Sequence, residues 1–205
     1  MAVAPGPLSV KRLDGPALKA LAHPLRVRLL GSLRREGPAT ASGLARRLGE
    51  SSGATSYHLR VLAGQGFVVD DERAAGGRER WWRAAQDMTS WSSADFLGDP
   101  DAEAAEQFLV GTTTRAAIEA VDHWLDQRPE ADPAWVAAAE LSDYLLRVPP
   151  DGLRGLLDDI NAMVQDRLAS GGLDRRDEPG SARVRLLLYA VPDEPVPAVS
   201  AAPDP

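Results

Sequence analysis

Apolar residues recur along the chain at the three-and-four spacing of amphipathic helices, and alternate with polar ones only in two short stretches. A first helix is predicted over about 16–22, with Pro16 in its first turn. The next begins at Pro24, where Leu25, Leu29, Leu30 and Leu33 form an apolar stripe and Arg26, Arg28, Arg34 and Arg35 stay solvated. Between Pro38 and Gly66 the pattern gives two helices joined by a tight turn. Thr40 or Ser42 caps the first, Leu44, Ala45 and Leu48 are its buried side, and Gly49 supplies the sharp stop. Ser51 or Ser52 caps the second, which turns Leu59, Leu62 and Ala63 inward and presents Ser52, Thr55, Ser56, Tyr57 and Arg60 on its other faces. Val68 and Val69 then open a β-prone run, Gly76-Gly77 marks a turn, and a second run passes through Trp81 and Trp82, which predicts a hairpin.

The rest is mostly helical in pattern. A stretch over 86–100 reads as a linker, but Met88, Trp91 and Phe96 predict that it packs. A long helix is predicted over 101–127 and another from Asp132-Pro133 through Val148, ended by Pro149-Pro150. A last helix, capped by Asp151, carries Leu153, Leu156, Leu157, Ile160, Met163, Val164 and Leu168. Val184, Leu186 and Leu188 alternate with Arg185, Leu187 and Tyr189, which predicts a strand. A lone strand must pair with the wing region, the linker, or its twin across a dimer axis.

Charge sharpens this division. The net charge is -7, yet residues 1–85 hold 14 Lys and Arg against 7 Asp and Glu, while 86–205 hold 9 against 23. Only the amino-terminal part can release counterions from a phosphate backbone, so the acidic part should face away from a nucleic acid. Short hydroxyl side chains at the start of the second helix of the pair suit a groove-inserted helix, because they reach phosphates and base edges without blocking approach. No cysteine is present, so disulfides and thiolate metal sites are excluded. No cysteine nucleophile is present and the three histidines have no obvious carboxylate-oriented partner, so an enzyme is not expected. His123, between Asp122 and Asp126, is read as a solvated acidic face rather than a metal site; no metal or cofactor is expected. With no apolar run approaching the roughly 20 residues of a bilayer span and no charged-then-apolar leader, a soluble cytoplasmic protein without membrane contact is expected.

The order of the motifs resembles ArsR-type winged helix-turn-helix transcriptional regulators. The residues that carry the likeness are Leu21-Ala22-His23-Pro24-Leu25-Arg26 with Leu29-Leu30, then Leu44-Ala45, Ser56-Tyr57-His58-Leu59-Arg60-Val61-Leu62, Gly66-Phe67-Val68 and Gly77-Arg78-Glu79-Arg80-Trp81-Trp82-Arg83. The likeness covers about residues 15–85. It implies a mainly α fold with a small β-hairpin: a winged helix-turn-helix domain followed by a helical carboxy-terminal dimerisation and effector domain ending in a strand. The expected divisions are an arm at 1–14, the DNA-binding domain at 15–85, the dimerisation and effector domain at 86–192, and a disordered tail at 193–205.

The expected activity is sequence-specific binding of double-stranded DNA by a homodimer, as a repressor modulated by a small organic effector. Ser52, Thr55, Ser56, Tyr57, His58, Arg60, Arg78 and Arg80 are the candidate DNA contacts, with Arg60 reading bases and Arg78 and Arg80 near the wing tip. Trp91, Phe108, Trp124, Trp135 and Tyr144 are the candidate walls of an effector pocket, against a plainer reading as core and interface. The alternative is a protein-interaction module that keeps the winged-helix scaffold without reading DNA.

Overall fold

The computed structural model describes residues 9–71, 79–170 and 178–196. The chain divides into two compact units, Gly6–Val136 and the residues from Ala137 onward.

In the amino-terminal unit, α1 (Gly15–Leu21) is capped by Asp14, whose side chain accepts the Ala17 N–H, and α2 (Pro24–Glu36) follows after the short turn at His23. Each begins with proline in its first turn, where the missing N–H costs nothing. Strand β2 (Ala39–Thr40) leads into α3 (Ala41–Leu48), capped by Thr40, whose hydroxyl accepts the Gly43 N–H at 3.1 Å. Gly49 takes φ +69 and ends the helix in the left-handed conformation that a side chain disfavours. Helix α4 (Ser52–Gly64) is capped by Ser51.

Strands β3 (Val68–Asp70) and β4 (Trp81–Ala84) form the antiparallel wing, in register Val68 to Ala84 and Asp70 to Trp82, with β2 on the other edge of β4. The glycines expected to turn the hairpin, Gly76 and Gly77, lie outside the described residues. Trp81 and Trp82 point to opposite faces as period two requires: Trp82 is buried and Trp81 half-buried.

Leu18, Leu29, Leu44, Leu59, Leu62 and Phe67 are fully buried at the centre of this unit. Each comes from a different helix or from the α4–β3 connection, apart from the pair in α4, so burial of one stripe per helix fixes the arrangement.

Two expectations about boundaries are corrected. Residues 9–14 are not part of a frayed arm: β1 (Val10–Arg12) pairs in parallel with β5 (Met88–Ser90), and Ser9 donates its N–H and hydroxyl to Asp87 Oδ2 at 2.9 and 2.8 Å. The unit also continues past residue 85. Phe96, in a 3-10 turn at Ser93–Phe96, and Ala102, Ala105 and Leu109 of α5 (Pro100–Gln127) belong to the same buried cluster as α1. Small alanines on the inner face let α5 approach α1 closely. Asp99 caps α5, accepting the N–H groups of Asp101 and Ala102, and pairs with Lys19 at 2.9 Å.

The second unit departs further from expectation. Helix α6 (Pro133–Ala138), which starts in the first unit, ends ten residues before Val148, and residues 139–149 have no regular structure. Ser142 donates its hydroxyl to Glu140 Oε1 there, and Pro150 confines Pro149 to extended backbone. Helix α7 (Pro150–Ala169) forms as expected, but Pro149 rather than Asp151 is its cap residue. Its stripe Leu153, Leu157, Ile160, Val164 and Leu168 is half-buried. Residues 184–189, expected as a strand, have no ladder partner among the described residues of the single chain.

Candidate nucleic-acid interface

Helix α4 is built to separate a scaffold face from an open one. Leu59 and Leu62 point inward, whereas Ser52, Ser56 and Arg60 recur at four-residue intervals along the outer side. Tyr57 is 59% exposed beside them. Gly53 lies on the same open side with nothing within 4 Å of where a Cβ would stand. Arg60 engages no acidic partner among the described residues, so its guanidinium is available to a ligand.

Two expected contacts sit elsewhere. Thr55 is 0% exposed and its hydroxyl has no partner, so it belongs to the packed side, one turn before Leu59. His58 is half-buried against His23, with ring centroids 4.3 Å apart and the Tyr57 ring edge-on at 5.1 Å. Across the turn, His23 is the cap of α2: its Nδ1 accepts the Leu25 N–H at 3.1 Å. Burial foremost, then the nearby Arg26 guanidinium, holds His23 below the usual histidine value; burial, His23 and Arg26 do the same to His58 against a smaller opposing pull from Glu50. The pair is therefore neutral near pH 7, which the cap requires.

In the wing, Arg78 lies outside the described residues. Arg80 sits diagonally across the ladder from Asp70, donating Nε to Asp70 Oδ1 and its second amine to Oδ2 at 2.8 Å, and its guanidinium lies 4.0 Å over the Trp82 ring. The hydrogen bond to Arg80 holds Asp70 below the usual carboxylate range and raises Arg80 in turn. An arginine so held presents a fixed edge rather than a free tip. Other cations serve the scaffold: Arg28 pairs with Glu50 at 2.8 Å and Arg47 with Glu36 at 2.6 Å.

A cleft of about 190 Å³ lies between the start of α3, the outer side of α4 and β4, lined by Ser42, Ser56, Arg60, Glu79, Arg80 and Trp82 among others. Ser42 and Glu79 were not among the expected site residues. Their signal in sequence is faint: a serine inside α3's first turn and one carboxylate among the wing arginines.

Of the five aromatic residues expected to wall an effector pocket, four lie in the first unit and one in the second. Trp91 and Phe108 pack against the amino-terminal core, with Trp91 Nε1 donating to Glu106 at 3.1 Å, whereas Tyr144 belongs to the second unit and is 76% exposed. Trp124 and Trp135 are half-buried in the first unit. Among the described residues no group of three His, Asp or Glu side chains that could hold a metal is assembled, and no helix is long and apolar enough to cross a membrane.

Helix, turn, helix and hairpin in this order, with a cleft between the outer helix and the hairpin, define a winged helix-turn-helix protein. Residues 21–70 match the family model described as a helix-turn-helix domain, and the chain carries that domain. Its motifs resemble those of ArsR-type regulators.

Solved structures similar to the chain include NolR from Sinorhizobium fredii, 30% identical over 35% of this chain and 68% of that one, with a TM-score of 0.31. A second is the ArsR family transcriptional regulator RHA00566, 24% identical over 49% and 86%, with a TM-score of 0.29. A third is the homodimeric winged helix-turn-helix DNA-binding domain Mb0332 from Mycobacterium bovis, 21% identical over 53% and 81%, with a TM-score of 0.33. No curated protein matches the chain.

Proposed function

We propose that the protein is a transcriptional regulator that lays α4 into the major groove of double-stranded DNA. The observation that carries this is the open side of α4: Ser52, Ser56, Tyr57 and Arg60 stand exposed or half-exposed over a rigidly buried inner side. Arg60 suits bidentate reading of a guanine edge, while the serines suit phosphates. The basic balance of residues 1–85 supports the reading.

The finer reading is a homodimeric repressor. One helix reads few base pairs, and two related by a two-fold axis reach successive major grooves about 34 Å apart, occupying the stretch that a polymerase would need. Apolar surface supports pairing: Val110, Ile118 and Leu125 are exposed along α5, and Leu145 of the second unit is 85% exposed. A small organic effector would act by favouring a dimer in which the helix separation no longer matches the duplex repeat. Trp124, half-buried on α5 beside Leu125, is the aromatic wall nearest to that apolar stripe in sequence.

The test is fluorescence anisotropy of the region upstream of the protein's own coding sequence against a shuffled duplex, over a series of salt concentrations. A regulator binds the upstream region more tightly, with a log–log salt slope of roughly -0.9 per phosphate contact. An interaction module that does not read DNA gives no binding to either duplex in dilute buffer.

A further inference from the structure

In the cleft beside α4 a carboxylate stands among hydrogen-bond donors and cations. Of the cleft's two guanidiniums, Arg80 is held by Asp70 and stacked on Trp82, whereas Arg60 is exposed and has no acidic partner among the described residues. Facing it is Glu79, whose Oε1 accepts the Ser42 hydroxyl at 3.2 Å. Ser42, Ser56 and Arg60 are the donors a phosphate oxygen needs, and a carboxylate stands among them. A phosphate brought into this cleft meets like charge and finds the Ser42 hydroxyl already committed. A base edge that offers an N–H donor, such as a cytosine amine, meets an acceptor instead.

We propose that Glu79 is a specificity-determining residue: it bars the cleft to phosphate, so that duplex of arbitrary sequence binds weakly while a site presenting an amine there does not suffer. The proposal rests on the DNA-binding reading of α4. It concerns a residue that the chain could replace without disturbing its core, since Glu79 is exposed and bonds to the half-buried Ser42 at the cleft rather than to a core residue.

The test uses the full chain and a random-sequence duplex, with anisotropy read across a salt series for the parent, Glu79→Gln, Glu79→Gln with Ser42→Ala, and Glu119→Gln. The last makes the same charge change on an exposed position of α5. Removing the carboxylate lets one more phosphate be gripped, so Glu79→Gln binds the random duplex about tenfold more tightly and steepens the salt slope by about 0.9. Adding Ser42→Ala removes most of that gain, because the freed hydroxyl is one of the donors responsible for it. Glu119→Gln leaves the slope as in the parent. A slope unchanged in Glu79→Gln, or shifted equally by Glu119→Gln, overturns the proposal. A parent that binds no duplex at low salt overturns the DNA-binding reading itself, which is a different result.

Discussion

At the scale of single residues, α4 shows how one helix carries two kinds of consequence. Leu59 is fully buried and Arg60, its neighbour, is exposed. Leu59→Ala should cost about 2–5 kcal/mol of stability, through lost transfer energy and the cavity left behind, as a fall in the urea midpoint. Arg60→Ala should leave that midpoint unchanged and reduce discrimination between matched and shuffled duplex by about 1–3 kcal/mol, read as a ratio of dissociation constants.

The histidine pair sets a pH limit. His23 and His58 are both held below the usual value of 6.5, so the unfolded chain binds more protons than the folded one as pH drops below that value. Their contribution is complete above about pH 6.5 and is lost as pH falls through the folded-state values. Protonation of His23 Nδ1 also removes the cap of α2 and sets a cation at a helix amino terminus, beside Arg26 and His58. Melting temperature should therefore drop between pH 7.5 and 5.5. His23→Asn, which keeps a capping oxygen, should show a smaller drop; an equal drop in both proteins would place the titration elsewhere.

Among elements, those whose signals are local were readable from the sequence. Thr40, Gly49 and Ser51 mark the ends of α3 and the start of α4 through hydrogen bonds and a backbone conformation that involve only near neighbours. The pairing of β1 with β5 was not readable, because three-residue strands 78 positions apart are recognised by one another and by Ser9 and Asp87 rather than by any period. Thr55 misled for a related reason: a hydroxyl beside Ser56 looks like part of an open helix side until the helix is rotated by its leucines into the core. Residues 139–148 carry apolar spacing that fits a helix, yet they form none, and Pro149-Pro150 confines the backbone just after them to the extended region.

Helix α5 was expected outside the DNA-binding module but shares its core. Leu109→Ala should therefore lower stability by about 2–5 kcal/mol in the same transition that Leu59→Ala lowers. Two separate transitions in a calorimetric scan, with only one moved by each change, would contradict this shared core.

For the whole molecule, segregation of charge orients the chain before any base is read. On the proposed reading the basic residues 1–85 would be drawn to phosphate and the acidic remainder repelled from it. In the proposed dimer, pairing of two chains would supply what a single α4 lacks, a second groove one turn away. Light scattering after size exclusion should give a dimer mass at micromolar concentration, and a monomer there would remove the two-fold part of the account.

The most direct measurement is a hydroxyl-radical footprint of the full chain on its own upstream region, with Arg60→Ala beside it. The account predicts two protected blocks about 10 base pairs apart for the parent, and their loss or spread for Arg60→Ala at equal occupancy. A single block, or identical footprints from both proteins, would contradict the claim that a pair of α4 helices reads the duplex.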